Sequence, residues 1–301
     1  MLKQFFTAVF LAAIFPLSVN AAGHGHGHGH GHEHEKESHA NESEVVSDEV
    51  IAQQRANLAE NTTGKGFGPQ SPRDIDSIEG ANQRIFNQSP GYAQMNLCNI
   101  HFHKNAEHKG GEFNTYAGNG DGKGFNTGYV YSGELTEAET AAYDGEVCPS
   151  KHGGLYVGDT IEVHYVHSSA QIAPGPTLGS CLNDSIGNPQ LRVETQVFVL
   201  VNDAQAEDFV KLAAHEVVDG YHQAINMLDD MGDPIQYTGS TTGPGYNEKG
   251  SPFQVSWSVR PKVAKLNIDS VATWCKGNTF NEDHAHGVRN LVINPDLLSE
   301  N

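Results

Sequence analysis

Two short stretches constrain this chain more than anything else in it. Residues 99–108 read Asn-Ile-His-Phe-His-Lys-Asn-Ala-Glu-His, and residues 160–167 read Thr-Ile-Glu-Val-His-Tyr-Val-His. Polar and apolar residues alternate in both, which is the period of a half-buried strand. Side chains at i and i+2 of a strand leave from one face. His101 and His103 therefore share a face, and so do Glu162 and His164. A lone His-x-His is a loose motif. Laid side by side in one sheet, the two strands would bring three imidazoles and a carboxylate to one spot. Three neutral imidazoles with a fourth position left open are the ligand set of a catalytic zinc site. The expected architecture is a sheet organised around His101, His103 and His164 as metal ligands.

Such a sheet needs a core, and 301 residues suffice for one. The first sixty are not expected to supply it. Met1-Leu2-Lys3 is a short basic start, residues 5–19 are apolar, and Val19-Asn20-Ala21 fits a small-residue cleavage site. Residues 1–21 read as a secretory signal peptide, with a run short for a membrane span. Residues 22–60 read as a flexible arm. His24, His26, His28, His30, His32 and His34 alternate there with Gly or Glu, and an acidic, polar stretch follows. Such sequence buries too little apolar surface to fold alone and suits loose metal binding. Val46, Val50, Ile51 and Leu58 fit a short amphipathic helix within the arm. The compact domain is expected over residues 61–301.

No later segment is long and apolar enough to span a bilayer, so the expectation is a periplasmic or secreted protein. A formal net charge of −19 argues against nucleic-acid partners. Cys98, Cys148, Cys181 and Cys275 form no Cys-x-x-Cys pair. In an exported chain they suggest two disulfides, with all three pairings open. Within the domain, β-branched residues mark a strand over 191–201, and alternation marks another over 253–259. Asp203 would cap a helix over 204–217, and a short helix is expected over 136–143 inside a Gly- and Asn-rich insertion at 114–154. The fold expected is mainly β (α+β): a single domain with a central, mostly antiparallel sheet and peripheral helices.

Together these stretches resemble the carbonic anhydrases, and the delta class above all. The resemblance is carried by Cys98-Asn99-Ile100-His101-Phe102-His103, Ala106-Glu107-His108 and Glu162-Val163-His164-Tyr165-Val166-His167. The order is also similar to the alpha class, through Gln70-Ser71-Pro72, a Gly-Ser-Thr-Thr loop from Gly239 to Pro244, and Trp257. The matches run from about residue 66 to 265. His101 and His164 are farther apart than in the alpha class, so the insertion between them is not alpha-like.

The resemblance implies an alpha-carbonic-anhydrase-like fold and Zn2+ as cofactor. The implied reaction is reversible hydration of carbon dioxide to bicarbonate and a proton by zinc-bound hydroxide. Glu162 would hold His164 in the right tautomer, and His108 would be a hydrogen-bonded structural histidine. Thr241 would accept the hydroxide proton and give its own to Glu107. Val166 and Trp257 would line the pocket for carbon dioxide. The alpha-class proton-shuttle histidine would fall between Asp74 and Asn99, where this sequence has none, leaving His152, His167 or an arm histidine as candidates. Two other readings compete. His101-x-His103-x3-Glu107 has the spacing of a cupin-type metal oxygenase, with Glu107 a ligand. The histidine arm would equally suit a non-catalytic periplasmic zinc carrier.

Overall fold

In the computed structural model, which describes residues 45–241 and 247–300, the two histidine-bearing stretches are neighbouring strands. β1 (Asn96–Lys104) and β4 (Thr160–Ser168) pair antiparallel, with His101 opposite His164 and His103 opposite Glu162. β5 (Leu191–Val201) runs antiparallel beside β4. β9 (Val255–Asn267) is parallel to β5, and β8 (Ile235–Thr238) is antiparallel to β9. The sheet order is β1-β4-β5-β9-β8, so the central sheet is mixed but mostly antiparallel. Two hairpins stand apart from it: β2 (Thr115–Asn119) with β3 (Thr127–Val130), and β6 (His215–Val218) with β7 (Tyr221–Ala224).

Both faces of the sheet are covered, which is why every residue of β4 and β5 is buried. On one face Ile100, Phe102, Val163, Tyr165, Phe198 and Leu200 pack with Phe209 and Trp274. Burying a side chain such as Phe102 fully is worth about 1.5–3 kcal/mol. On the other face lie Val166, Val193, Val197, Trp257 and Val259, beside the histidines. The first face is apolar over most of its area, with His167, Arg192, Glu194 and Gln196 buried on it as well, whereas the apolar floor of the second surrounds a polar centre.

Helices are few and peripheral. α3 (Ile268–Cys275) follows β9 directly, and the Asn267 side chain caps it by accepting from the backbone N–H of Asp269 and Ser270. Such a cap contributes about 1 kcal/mol. α1 (Asp48–Thr62) is the helix expected within the arm, but it is packed on the domain. Leu58 sits with Val292, Leu297 and Leu298, and the Gln54 amide donates to the Gly122 carbonyl.

Two expected helices are corrected. The one expected over 204–217 shrinks to α2 (Phe209–Leu212), capped by Asp208 rather than Asp203. Asp219 and Gly220 take positive φ (52° and 87°) and turn His215–Val218 back into a hairpin. Asp-Gly is a strong signal for that turn. Within 136–143 only residues 137–140 form a turn: Thr136 and Glu139 bond each other as at a helix start, but Glu139 also pairs with Lys265 of β9 at 2.5 Å.

Of the three open disulfide pairings, the structure has Cys98–Cys181 and Cys148–Cys275. They close separations of 83 and 127 residues, and bridges of this kind typically contribute about 2–4 kcal/mol. The first ties β1, just ahead of its histidines, to the segment after β4. Among the described residues no helix is long and apolar enough to cross a membrane. The signal-peptide reading, the histidine arm and Thr242–Tyr246 lie outside the described residues.

Candidate metal centre

The cross-strand register places one nitrogen each of His101, His103 and His164 within 4.8 Å of one another. The outer nitrogen of each ring is already engaged. His101 Nδ1 lies 2.7 Å from Asn99 Oδ1, and His103 Nδ1 donates to the Gly287 carbonyl at 2.9 Å. His164 Nε2 donates to Glu162 Oε1 at 2.5 Å. A carbonyl or an ionised carboxylate can only accept. The lone pairs of His103 and His164 are therefore on Nε2 and Nδ1 respectively, and Asn99 leaves His101 its Nε2. His103 Nε2 is buried with no hydrogen-bond partner. An orphaned buried nitrogen is a defect in a core but is what a metal ligand requires.

Burial, and next the neighbouring imidazoles, hold His101 well below the ordinary histidine value. Burial brings His103 down to about 3. Neutral rings are the form that binds metal.

Glu162 anchors the back of the site. Burial opposes its charge, but His108 and His164 together hold it well below the usual carboxylate range. Oε1 accepts from both His164 and His108 Nδ1 (2.7 Å), and Oε2 accepts from the backbone N–H of His108 (2.9 Å). The direction of the next bonds follows. His108 Nε2 must accept from the Tyr237 hydroxyl at 2.6 Å, so the Ser71 hydroxyl donates to Tyr237 at 2.9 Å. His108, Glu162 and His164 also bring potential ligand atoms close together. Both His108 nitrogens, both Glu162 oxygens and His164 Nε2 are consumed in this relay, which makes it a support for His164.

Glu107 is held otherwise. Its Oε1 accepts from Arg73 Nε at 2.6 Å and its Oε2 from the backbone N–H of Arg289 at 3.0 Å. Burial would raise its pKa, but Arg73 and the neighbouring His103 and His164 together outweigh that and hold it well below the ordinary range. The direct bond expected between Thr241 and Glu107 is not among the contacts of these two described residues. Arg73 lies between them, its Nη2 donating to Thr241 Oγ1 at 2.8 Å. Trp257 lies on the same face as the histidines, 5.5 Å from His164 between ring centroids, and Val166 belongs to the same apolar cluster.

Of the shuttle candidates, His167 is ruled out by strand parity. It is fully buried on the opposite face from His164, with Nδ1 on the Tyr165 carbonyl. His152 stacks on Phe125 at 3.5 Å.

Several residues of the site were missed from sequence. Asn99 had a signal, since it precedes His101 by two on the same strand. Gly287, Tyr237 and Arg73 come from loops or a remote strand and had none. His286 is the other omission: its backbone bonds to Phe102 and Lys104 lay it beside β1. Its ring is 5.2 Å from His101, and its Nε2 is 2.6 Å from Glu282.

Three imidazoles with engaged outer nitrogens, held on a mixed sheet beside an apolar floor, define a candidate three-histidine metal centre. A family model described as delta carbonic anhydrase matches residues 92–270, which include all three histidines. The chain belongs to the delta carbonic anhydrase family, a family of enzymes that hydrate carbon dioxide. No curated protein matches it.

Among solved structures it is similar to a hyperthermostable carbonic anhydrase identified from an active hydrothermal vent chimney. That match has 14% identity over 78% of this chain and 88% of that one, with a TM-score of 0.27. It is also similar to the alpha-carbonic anhydrase from Thermovibrio ammonificans in complex with the inhibitor sulfanilamide (16%, 68% and 84%, 0.22). A third match is the Photobacterium profundum alpha-carbonic anhydrase (15%, 79% and 93%, 0.26). Superpositions this loose carry no further argument, and the assignment rests on the family model. The cupin-type reading falls with it, and both Glu107 oxygens are in any case taken by arginine N–H groups.

Proposed function

We propose that the chain is a zinc enzyme whose reversible hydration of carbon dioxide is centred on His101, His103 and His164. The observation that carries this is the convergence of one ring nitrogen from each of three histidines within 4.8 Å, while a hydrogen-bond partner engages another nitrogen of each ring. Zinc held there would supply the Lewis acidity that makes water nucleophilic at neutral pH, an effect for which carbonic anhydrases are the reference case. The chain's own residues do the rest. Glu162, backed by His108, Tyr237 and Ser71, fixes the ring of His164. Val166 and Trp257 give carbon dioxide an apolar resting place. Thr241 orients the attacking oxygen, with Glu107 as the charge behind it.

Export to the periplasm or beyond is the matching location. The apolar N-terminal run with its cleavage site and the two disulfides support it. The six arm histidines would be an accessory zinc-binding segment. A stopped-flow carbon dioxide hydration assay on zinc-loaded protein, with and without a sulfonamide, tests the reading. Zinc-dependent turnover blocked by the sulfonamide is expected, whereas a protein that binds zinc yet leaves the hydration rate at background is a carrier.

A further inference from the structure

Arg73 is fully buried, and its guanidinium is the one group that touches both Glu107 and Thr241 among the described residues. Its third contact is Nη1 to the Ser71 carbonyl at 3.3 Å. Its backbone is left-handed at φ 60°, a region non-glycine residues rarely occupy unless the surroundings enforce it. Those surroundings are visible. The Arg73 carbonyl accepts from the backbone N–H of Lys109 at 2.8 Å, and Ser71 N–H donates to the Ser240 carbonyl at 2.7 Å. One short segment is thus stitched between the turn carrying Glu107 and the loop carrying Thr241. Gly239, just ahead of that loop, packs so closely on Gln70 and Ser71 that a Cβ would lie 2.7 Å from the Gln70 carbonyl oxygen.

The polarity of this contact matters. A guanidinium only donates, and a hydroxyl has one proton and two lone pairs. Arg73 therefore fills one lone pair of Thr241 Oγ1, and this contact does not use the hydroxyl proton. Were Thr241 bonded directly to Glu107, the proton would be spent on the carboxylate. We propose that Arg73 is a positioning residue that fixes the Thr241 hydroxyl as a proton donor toward small anions, the product bicarbonate among them, at the three-histidine site. Glu107 holds the guanidinium in place. The assignment rests on the carbonic anhydrase reading for the site's location.

Thiocyanate, a small acceptor-only anion, is the probe, titrated calorimetrically into the zinc-loaded full-length protein. Arg73→Ala and Thr241→Val should each keep the tightly bound zinc and weaken thiocyanate about ten-fold, the scale of one hydrogen bond to a charged group. The double variant should be no weaker than either single one, because the two residues act as a unit. Arg73→Lys keeps the charge beside Glu107 but lacks the planar fork that spans two partners. It should therefore bind thiocyanate as poorly as Arg73→Ala, and it decides the matter if the alanine protein does not fold. Millimolar guanidinium chloride should restore part of the affinity of Arg73→Ala. Wild-type affinity in Arg73→Lys, or losses that add in the double variant, would overturn the proposal. The expected thiocyanate pattern in a protein with no hydration activity would support Arg73's role and refute the activity.

Discussion

The metal-facing sides of β1 and β4 and the loops behind them build the site in different ways. The strands deliver His101, His103, Glu162 and His164 by periodicity alone, once the register sets His101 opposite His164. The loops deliver Arg73, Thr241 and Gly287 by long-range hydrogen bonds that no local pattern announces. On the proposed reading the strands supply the ligand set, and the loops orient what would sit on it. Substitutions on the strands should therefore alter metal binding, whereas those in the loops should alter turnover with the metal retained.

The largest effect is expected on the strands. His101→Ala or His164→Ala leaves two imidazoles, which hold a hydrated ion poorly. Zinc content, measured in a chain lacking residues 22–40, should fall with activity to background. Thr241→Ala should do the opposite: full zinc content with activity lower by about 10²-fold, the scale of one positioned catalytic hydrogen bond. If Thr241→Ala releases zinc, the division between strand and loop fails. Glu162→Gln tests the support of a strand ligand. It should weaken zinc by about 10–100-fold, as outer partners of metal ligands commonly do, read by competition with a chelator.

A smaller effect concerns the opposite face. Burial holds His167 down to about 3, so between about 6.5 and 3 the unfolded chain binds a proton that the folded one refuses. Its contribution is present above about 6.5 and is lost as pH falls toward 3. His167→Gln should reduce the slope of denaturant stability against pH in that window by about 1.4 kcal/mol per pH unit. Turnover at neutral pH should not change, because the side chain lies on the face away from His164. Smallest of all, deleting residues 22–40 should leave turnover per zinc-loaded molecule unchanged. It should only slow reactivation of the apo-protein at limiting zinc, since loose histidines capture metal but are not preorganised. Lower turnover in saturating zinc, restored by imidazole buffer, would instead make the arm a proton carrier.

What was legible in the sequence follows the same division. β1, β4 and β5 could be read because alternation or β-branched density marks them, and the three histidines came with them. The residues expected over 204–217 could not be read, because an apolar run next to Asp219-Gly220 serves a hairpin as well as a helix. The bond from Thr241 to Glu107 was expected by resemblance. It was displaced because Arg73, an ordinary charged residue in sequence, is carried inside by a left-handed turn that leaves no local mark. Tyr237 and Ser71 are joined to the site only by the direction of the hydrogen bonds running out from Glu162.

The central claim is that the cross-strand histidines form an open, catalytic zinc site. Zinc K-edge X-ray absorption on the zinc-loaded protein lacking residues 22–40 tests it most directly. Three histidine nitrogens at about 2.0–2.1 Å and one further light oxygen scatterer are predicted. Four histidine nitrogens in a closed shell, or a carboxylate in place of one of the three, would contradict it.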